Sequence, residues 1–359
     1  MQKVRFLFFI SIGFLVFSCK PKSKAEKDGF DVGFLLQEVT QKVIIPSMEE
    51  FTDEASKLSK EIHTYAENPI LEQLETVQRQ WVRTAYAYER TYNFHFGPAK
   101  SKFLHQAIYN WPTVPNTIEN QIESGEVKES NMLKVSPQIK GIAALEYLLF
   151  QEDLNTTNAK MTQQPERREY LAEAGKFVEA QAKRLLRIWN TEGDNYAQTF
   201  INNEASGINN SFNLLFNGLY NAANTAKVTK IGKPGGFEKS PRTNPKKVQA
   251  PYSDESLALT QNSIEVIETV FFGKEHPNIS QYISSMIDDE TTNRRIKTAI
   301  EETKQAIAAI PVPLDEAVDA YPAEVENLHA KLTALNIWMG VDARSILSVI
   351  ITSTDNDGD

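Results

Sequence analysis

Apolar residues in this chain recur at helical spacing over most of its length. Between Asn68-Pro69 and about His95, the residues Val77, Trp81, Thr84, Tyr88 and Tyr92 fall at i, i+4, i+7, i+11 and i+15. That is one stripe of a 3.6-residue helix, with Arg79, Arg83, Tyr86 and Arg90 on the opposite side. Further helices are predicted over Phe34 to Ile45, stopping before Pro46, and over Pro98 to Tyr109, Pro137 to Phe150, Pro165 to Trp189 and Asn195 to Ala223. Tyr252 to Phe272, Thr291 to Ile310 and Pro322 to Met339 continue the theme. Several open on proline, whose missing N–H costs nothing in a first turn. Only Ile346 to Ile351 is β-branched enough to be ambiguous, so the pattern predicts an all-α fold of helical bundles.

The N-terminus departs from this pattern. Lys3 and Arg5 precede an apolar run from Phe6 to Phe17, too short for a bilayer span of about 20 residues, which reads as a secretory signal peptide over residues 1–18. Leu15-Val16-Phe17-Ser18-Cys19 resembles the bacterial lipobox, and Cys19 is the sole cysteine of 359 residues. Cys19 is therefore the expected lipidation site, followed by a linker over 19–29, and it leaves no partner for a disulfide or a multi-cysteine metal site. The expected place is a bacterial envelope, on the outer membrane facing the periplasm, with the membrane as a partner through acyl chains.

Composition narrows the partners. Removing residues 1–18 leaves 36 basic against 47 acidic residues, a net charge of −11. Nucleic acid, which wants a basic face, is not an expected partner. About 330 residues then exceed what one core usually supports. Residues 227–251 hold three glycines, four prolines and seven basic residues against one acidic, and read as a solvated connection between a domain over 30–226 and another over 252–359. Gly232-Lys233-Pro234-Gly235-Gly236 lacks the spacing of a phosphate loop.

The segment Pro137 to Phe150 carries the strongest chemical candidate. On a wheel, Ile139, Ile142, Ala143, Glu146 and Phe150 share a face, and Leu145, Leu148 and Leu149 cover much of the rest, so the helix is expected to be buried. A buried carboxylate must be paired, protonated or bound to something. For Glu146 the choices are an ion pair with Arg83, Arg184 or Arg187, or a ligand- or metal-facing role. Glu89 is the second acid expected nearby, with pairing to Arg90 or Arg83 as its alternative. Trp81 and Trp111 read first as core and second as aromatic walls. Of the five histidines, none forms a His-Glu-x-x-His pattern, and His329 reads as a core-edge residue. The terminal Asp355-Asn356-Asp357-Gly358-Asp359 resembles the start of a calcium loop but lacks the length of one.

Gly141-Ile142-Ala143-Ala144-Leu145-Glu146 resembles the Gly-x-His-x-x-Glu signature of the imelysin-like peptidase family, with Ala143 in place of the His. Trp81-Val82-Arg83, Tyr88-Glu89, Phe96-Gly97-Pro98, Trp111-Pro112 with Glu119, Lys230 to Gly236 and Tyr252-Ser253 to Ser256-Leu257 resemble the family's other blocks in order. The resemblance implies two helical-bundle domains with the signature facing their junction. It also implies either a surface peptidase or a component of iron uptake. Three functions follow. The first is a binding component of iron or haem uptake, with a ligand cleft containing Glu146, Glu89, Trp81, Arg83 and Trp111. The second is a metal-dependent peptidase, which would need ligands other than the missing His, and the third is a lipoprotein scaffold. No catalytic or metal-binding residue is assigned, and the cofactor is left open between iron and another divalent metal.

Overall fold

The computed structural model describes residues 29–125, 132–203, 205–239 and 242–352. Among these residues every regular element is helical and none is a strand, so the all-α expectation holds. The chain runs through α1 (Val32–Val39), α2 (Ile45–Glu67) and α3 (Leu71–Tyr92), then the short α4 (Gly97–Ser101), α5 (Leu104–Ile108) and α6 (Pro115–Ser124). Next come α7 (Gly141–Phe150), α8 (Leu154–Gln163), α9 (Pro165–Trp189), α10 (Tyr196–Asn202) and α11 (Ser211–Thr225). The last group is α12 (Ser256–Phe272), α13 (Ile279–Met286), α14 (Thr291–Ala308), α15 (Leu314–Ala320), α16 (Pro322–Ile337) and α17 (Arg344–Leu347).

Helices α2, α3 and α9 pack side by side, and α7 lies across α3 and α9. A second group joins α11, α12, α14 and α16, and α12 packs back onto α3. Buried side chains from Leu35 to Val349 form one contiguous cluster through both groups. The apolar stripe of α3 explains its position: Val77, Trp81, Thr84 and Tyr88 are buried, whereas Arg79 and Arg83 face solvent. No helix of the described residues is long and apolar enough to cross a membrane.

Several expected boundaries move for identifiable reasons. The first helix does not stop at Pro46. A π-helical turn over Thr40–Ile44 carries it into α2, and the Ile45 N–H reaches back to the Thr40 carbonyl. The wider turn gives room to a proline ring that would otherwise clash with the carbonyl four residues back. The stretch from Pro98 to Tyr109 is divided by Phe103, at φ 53, into α4 and α5. Asn195 to Ala223 is divided likewise, by Asn203 at φ 52 and a 3₁₀ turn over Gly207–Asn209. The expected solvated connection of 227–251 begins as a π-helical extension of α11 over Ala226–Gly232, where Lys230, Ile231 and Gly232 are buried. Val248, Gln249 and Ala250 are buried as well, and among the described residues of this stretch 239, 242–244 and 246–247 are exposed. Ile346 to Ile351 is not a strand: α17 ends at Leu347, and Ser348 at φ 55 turns the chain away.

Candidate functional site: two buried carboxylates around one loop, beside a polar cavity

The signature helix is placed by its first residue. A 3₁₀ turn over Pro137–Ile139 is capped by the Ser136 side chain, Lys140 is extended, and Gly141 takes φ +74. A Cβ on Gly141 would lie 2.2 Å from the Ile108 carbonyl oxygen, so only glycine lets α7 start against the end of α5. Trp81 donates its indole N–H to the Ile142 carbonyl at 3.0 Å and meets Phe150 edge-on. Fully buried, Trp81 holds α7 onto α3. Ala143, at the position of the signature His, is 1% exposed.

Glu146 projects from α7 toward residues 250–254. One carboxylate oxygen, Oε1, accepts from the Tyr252 N–H at 2.8 Å, the Ser253 N–H at 2.9 Å and the Ser253 hydroxyl at 3.0 Å. Ala250 at φ 56 and Asp254 at φ 64 bend the backbone on either side, so that two successive N–H groups converge as an anion nest. None of Arg83, Arg184 and Arg187 supplies the partner expected from the sequence; all three side chains are exposed. Burial pushes the Glu146 pKa up to about 7, the three donors pull it partly back, and nearby Asp254 adds to the rise.

A raised carboxyl pKa means that the folded chain binds this proton more tightly than the unfolded one. Its contribution to stability is complete below the unfolded value near 4.5 and is lost as pH rises through about 7. We expect the wild type to lose on the order of 2–3 kcal/mol across that window from this group, and Glu146→Gln to lose almost none. Urea unfolding at pH 5 and pH 8 checks it, and equal pH slopes for the two proteins would contradict the raised pKa.

Glu89 is a buried carboxylate group with three donors. Lys230 Nζ lies 2.7 Å from Oε2, the Ser263 hydroxyl donates to the same oxygen at 2.8 Å, and the Gln249 amide donates to Oε1. Its partner is thus neither Arg90, which pairs with Glu50, nor the solvent-facing Arg83. The two acids hold the same segment from two sides: Glu89 through the Gln249 side chain, Glu146 through the backbone of Tyr252 and Ser253. Tyr109 stands near both. Burial drives its hydroxyl pKa well above the usual tyrosine value, and the charges of Glu146 and Glu89 add to this. The Gln249 side chain lies beside that hydroxyl and offsets part of the rise.

A cavity of about 210 Å³ opens on the other side of Tyr109, between Tyr92, His95, Trp111, Asn221 and Thr229. His95 Nε2 accepts the His105 backbone N–H at 2.9 Å, which leaves the proton of a neutral imidazole on Nδ1. Burial, with His105 and Lys100 nearby, lowers the His95 pKa well below the usual value and keeps the ring neutral. His95 Nδ1, Asn221 Oδ1 and Thr229 Oγ1 are buried without partners among the described residues. A second space of about 640 Å³ shares His95, Lys100, Gly218 and Asn221 with the first and continues along α11. Of the residues singled out from the sequence, Trp111 lines the smaller cavity, while Glu89 and Glu146 lie behind Tyr109. Trp81 is in the core and Arg83 is outside, close to Glu54 and Lys57. The sequence reading missed Tyr109, Lys230, Gln249 and Asn221.

The arrangement does not fit a catalytic divalent metal. Such a site needs about three protein ligands and an open position. Among the described residues no three His, Cys, Asp or Glu converge. The signature His is replaced by a buried alanine, and Glu146 Oε1 is already surrounded by hydrogen-bond donors, an environment for an anion. His329, at the core edge as expected, pairs with Glu238. The acidic terminal residues 355–359 and Cys19 lie outside the described residues.

Comparison with known proteins converges on one group. The model of the family Imelysin (Peptidase_M75) matches residues 44–336. Iron-regulated protein A of Synechococcus elongatus is 21% identical over 326 residues, covering 88% of this chain and 86% of that protein. A crystal structure of a putative iron-regulated protein A precursor from Parabacteroides distasonis superposes with a TM-score of 0.75 at 18% identity, over 88% of this chain and 94% of that one. An imelysin-like protein from Psychrobacter arcticum 273-4 gives a TM-score of 0.76 at 17% identity, over 89% and 96%. At these identities the two structures establish the shared fold.

Proposed function

This chain belongs to the imelysin family, and on that premise we propose that it is a ligand-binding lipoprotein of bacterial iron acquisition rather than a metallopeptidase. In this reading an acylated Cys19 holds it on the outer membrane, facing the periplasm. The iron connection is supported by the similarity to iron-regulated protein A. The observation that carries the binding role is the cavity beside Tyr109, whose wall holds buried polar groups of His95, Asn221 and Thr229 without partners among the described residues. Buried polar atoms left unpaired cost about 1–3 kcal/mol each, and a small molecule that pairs with them recovers that cost. Trp111 and Tyr92 supply flat apolar faces beside them.

The cargo is iron in a form that brings most of its own ligands, such as an organic chelate or haem, because the described residues build no three-ligand cage. Calorimetric titration of the full chain with ferrous, ferric and zinc ions, ferric chelates and haem tests this. The expected outcome is one saturable chelate or haem site per chain, weakened about tenfold, or 1.4 kcal/mol, by Trp111→Ala. Failure of every iron form to bind would overturn the reading. Peptide hydrolysis that disappears with a chelator and in Glu146→Ala would restore the peptidase instead.

A further inference from the structure

Residues 233–247 carry five basic side chains and one acidic, in a chain whose net charge is −9. The acid, Glu238, is already engaged: Lys227 Nζ and His329 Nε2 each lie 3.1 Å from its Oε1. Lys239, Arg242, Lys246 and Lys247 are exposed and Lys233 is half-buried. None of these five is in an ion pair among the described residues. Helix α15 packs beside Pro245–Lys247, but its Asp315 and Glu316 gather with Asp254 and pair with neither lysine. The loop is thus a positive surface on an acidic molecule.

Its charges are held in a fixed array. The Phe237 N–H donates to the Gly232 carbonyl at 2.9 Å, and the Asn244 N–H crosses back to the Pro234 carbonyl at 2.8 Å. The two arms touch: a Cβ on Gly236, at φ +75, would lie 3.0 Å from the Arg242 carbonyl carbon. Pro234 and Pro245 fix two further backbone angles. The Phe237 ring packs on His329 of α16, with centroids 5.1 Å apart. Like charges that a loose chain would let spread are therefore kept together, at a cost in mutual repulsion that brings the fold no contact in return.

We propose that this loop is a docking surface for an acidic face of another protein. Charge complementarity names the chemistry of the partner, and two observations favour a protein over an anionic lipid surface. First, the exposed positions besides the cations are Thr243 and Asn244, while Phe237 packs against the core and Val248 is buried. Nothing apolar is offered to a bilayer, whose surface binders add an apolar contact to their charge. Second, a preset array loses little freedom on meeting an equally fixed set of carboxylates, and complementary charges then select the partner and speed its approach. None of these residues lines either cavity, so the docking surface stands independently of the iron reading.

Fluorescence anisotropy of a labelled oligoglutamate peptide, titrated with the full chain at low and at physiological salt, tests the surface. Phosphatidylglycerol vesicles, sedimented with the chain, serve as the competing partner. The expected result is one saturable peptide site per chain that weakens with salt, since exposed charges are screened beyond about 8 Å at physiological ionic strength. Lys246→Glu combined with Lys247→Glu is expected to weaken the site about tenfold. Lys57→Glu combined with Lys183→Glu changes the net charge equally, at lysines paired with Glu54 and Glu179, and should leave the site unchanged. Melting followed by circular dichroism shows that both pairs of substitutions leave the chain folded. Absence of peptide binding by the wild-type chain, or equal weakening by the two pairs, would overturn the proposal. Retention on the vesicles through Lys246 and Lys247, with no binding to the peptide, would assign the surface to a membrane instead.

Discussion

Lys230→Met is expected to lower the free energy of unfolding by about 3–5 kcal/mol, because it leaves a buried carboxylate without its counter-charge. Lys230 and Glu89 are each 1% exposed, and the ammonium lies 2.7 Å from the carboxylate. In the variant Glu89 keeps the Ser263 hydroxyl and the Gln249 amide. Neutral donors do not replace a full positive charge at low dielectric. The double variant Glu89→Leu with Lys230→Met removes both charges and is expected to recover most of the loss, since an apolar pair of similar volume often replaces a buried ion pair at little cost. Urea unfolding followed by circular dichroism checks both. A loss below 1 kcal/mol in the single variant would contradict a strong buried pair.

Gly141→Ala is expected to cost about 3–5 kcal/mol, the sum of a left-handed backbone imposed on a residue with a Cβ and of steric overlap in a packed core. The added methyl would meet backbone at three atoms, the nearest being the Ile108 carbonyl oxygen at 2.2 Å, and backbone cannot swing aside as a side chain can. Gly207→Ala is the control. It shares a positive φ of +62, but a Cβ there meets nothing within 4 Å, so only the conformational cost of about 1 kcal/mol remains. Differential scanning calorimetry separates the two, and equal shifts in Tm would show that the contact with α5 is soft. Because Gly141 fixes the start of α7, the variant also shifts Glu146 and should weaken its hold on Tyr252 and Ser253.

Helices α3 and α9 were legible from apolar spacing alone: one stripe of each is buried, and Pro165 opens α9 where its absent N–H is harmless. The 23-residue α2 was passed over, because Pro46 at its start reads as a stop. Helices α6, α8, α13 and α15 escaped because each is short, with only two or three buried residues to betray a period. The identity of Glu146 as a special carboxylate was also legible, since an acid inside an apolar helix demands an explanation. Its partners were not. Two of the three donors are backbone N–H groups, which leave no trace in a sequence, and they come from 106 and 107 residues away. Lys230 was hidden differently. A basic residue among glycines and prolines reads as solvated, and its burial depends on a carboxylate 141 residues earlier.

Among the described residues, π-helical turns interrupt the helices at Thr40–Ile44, Ala226–Gly232 and Trp338–Ala343. Their consequence concerns insertions and deletions. Removing one residue from an ordinary α-helix rotates everything downstream by about 100° and turns its buried face outward. A π-turn already accommodates one residue beyond the α-helical count, so losing one there lets the turn close as α-helix while both flanks keep their faces. Within Trp338–Ala343, for example, a one-residue deletion would leave Leu335 and Leu347 pointing inward. The same deletion three turns earlier in α16 would not. The chain therefore tolerates changes of length at a few positions inside its helices, and not only in its loops.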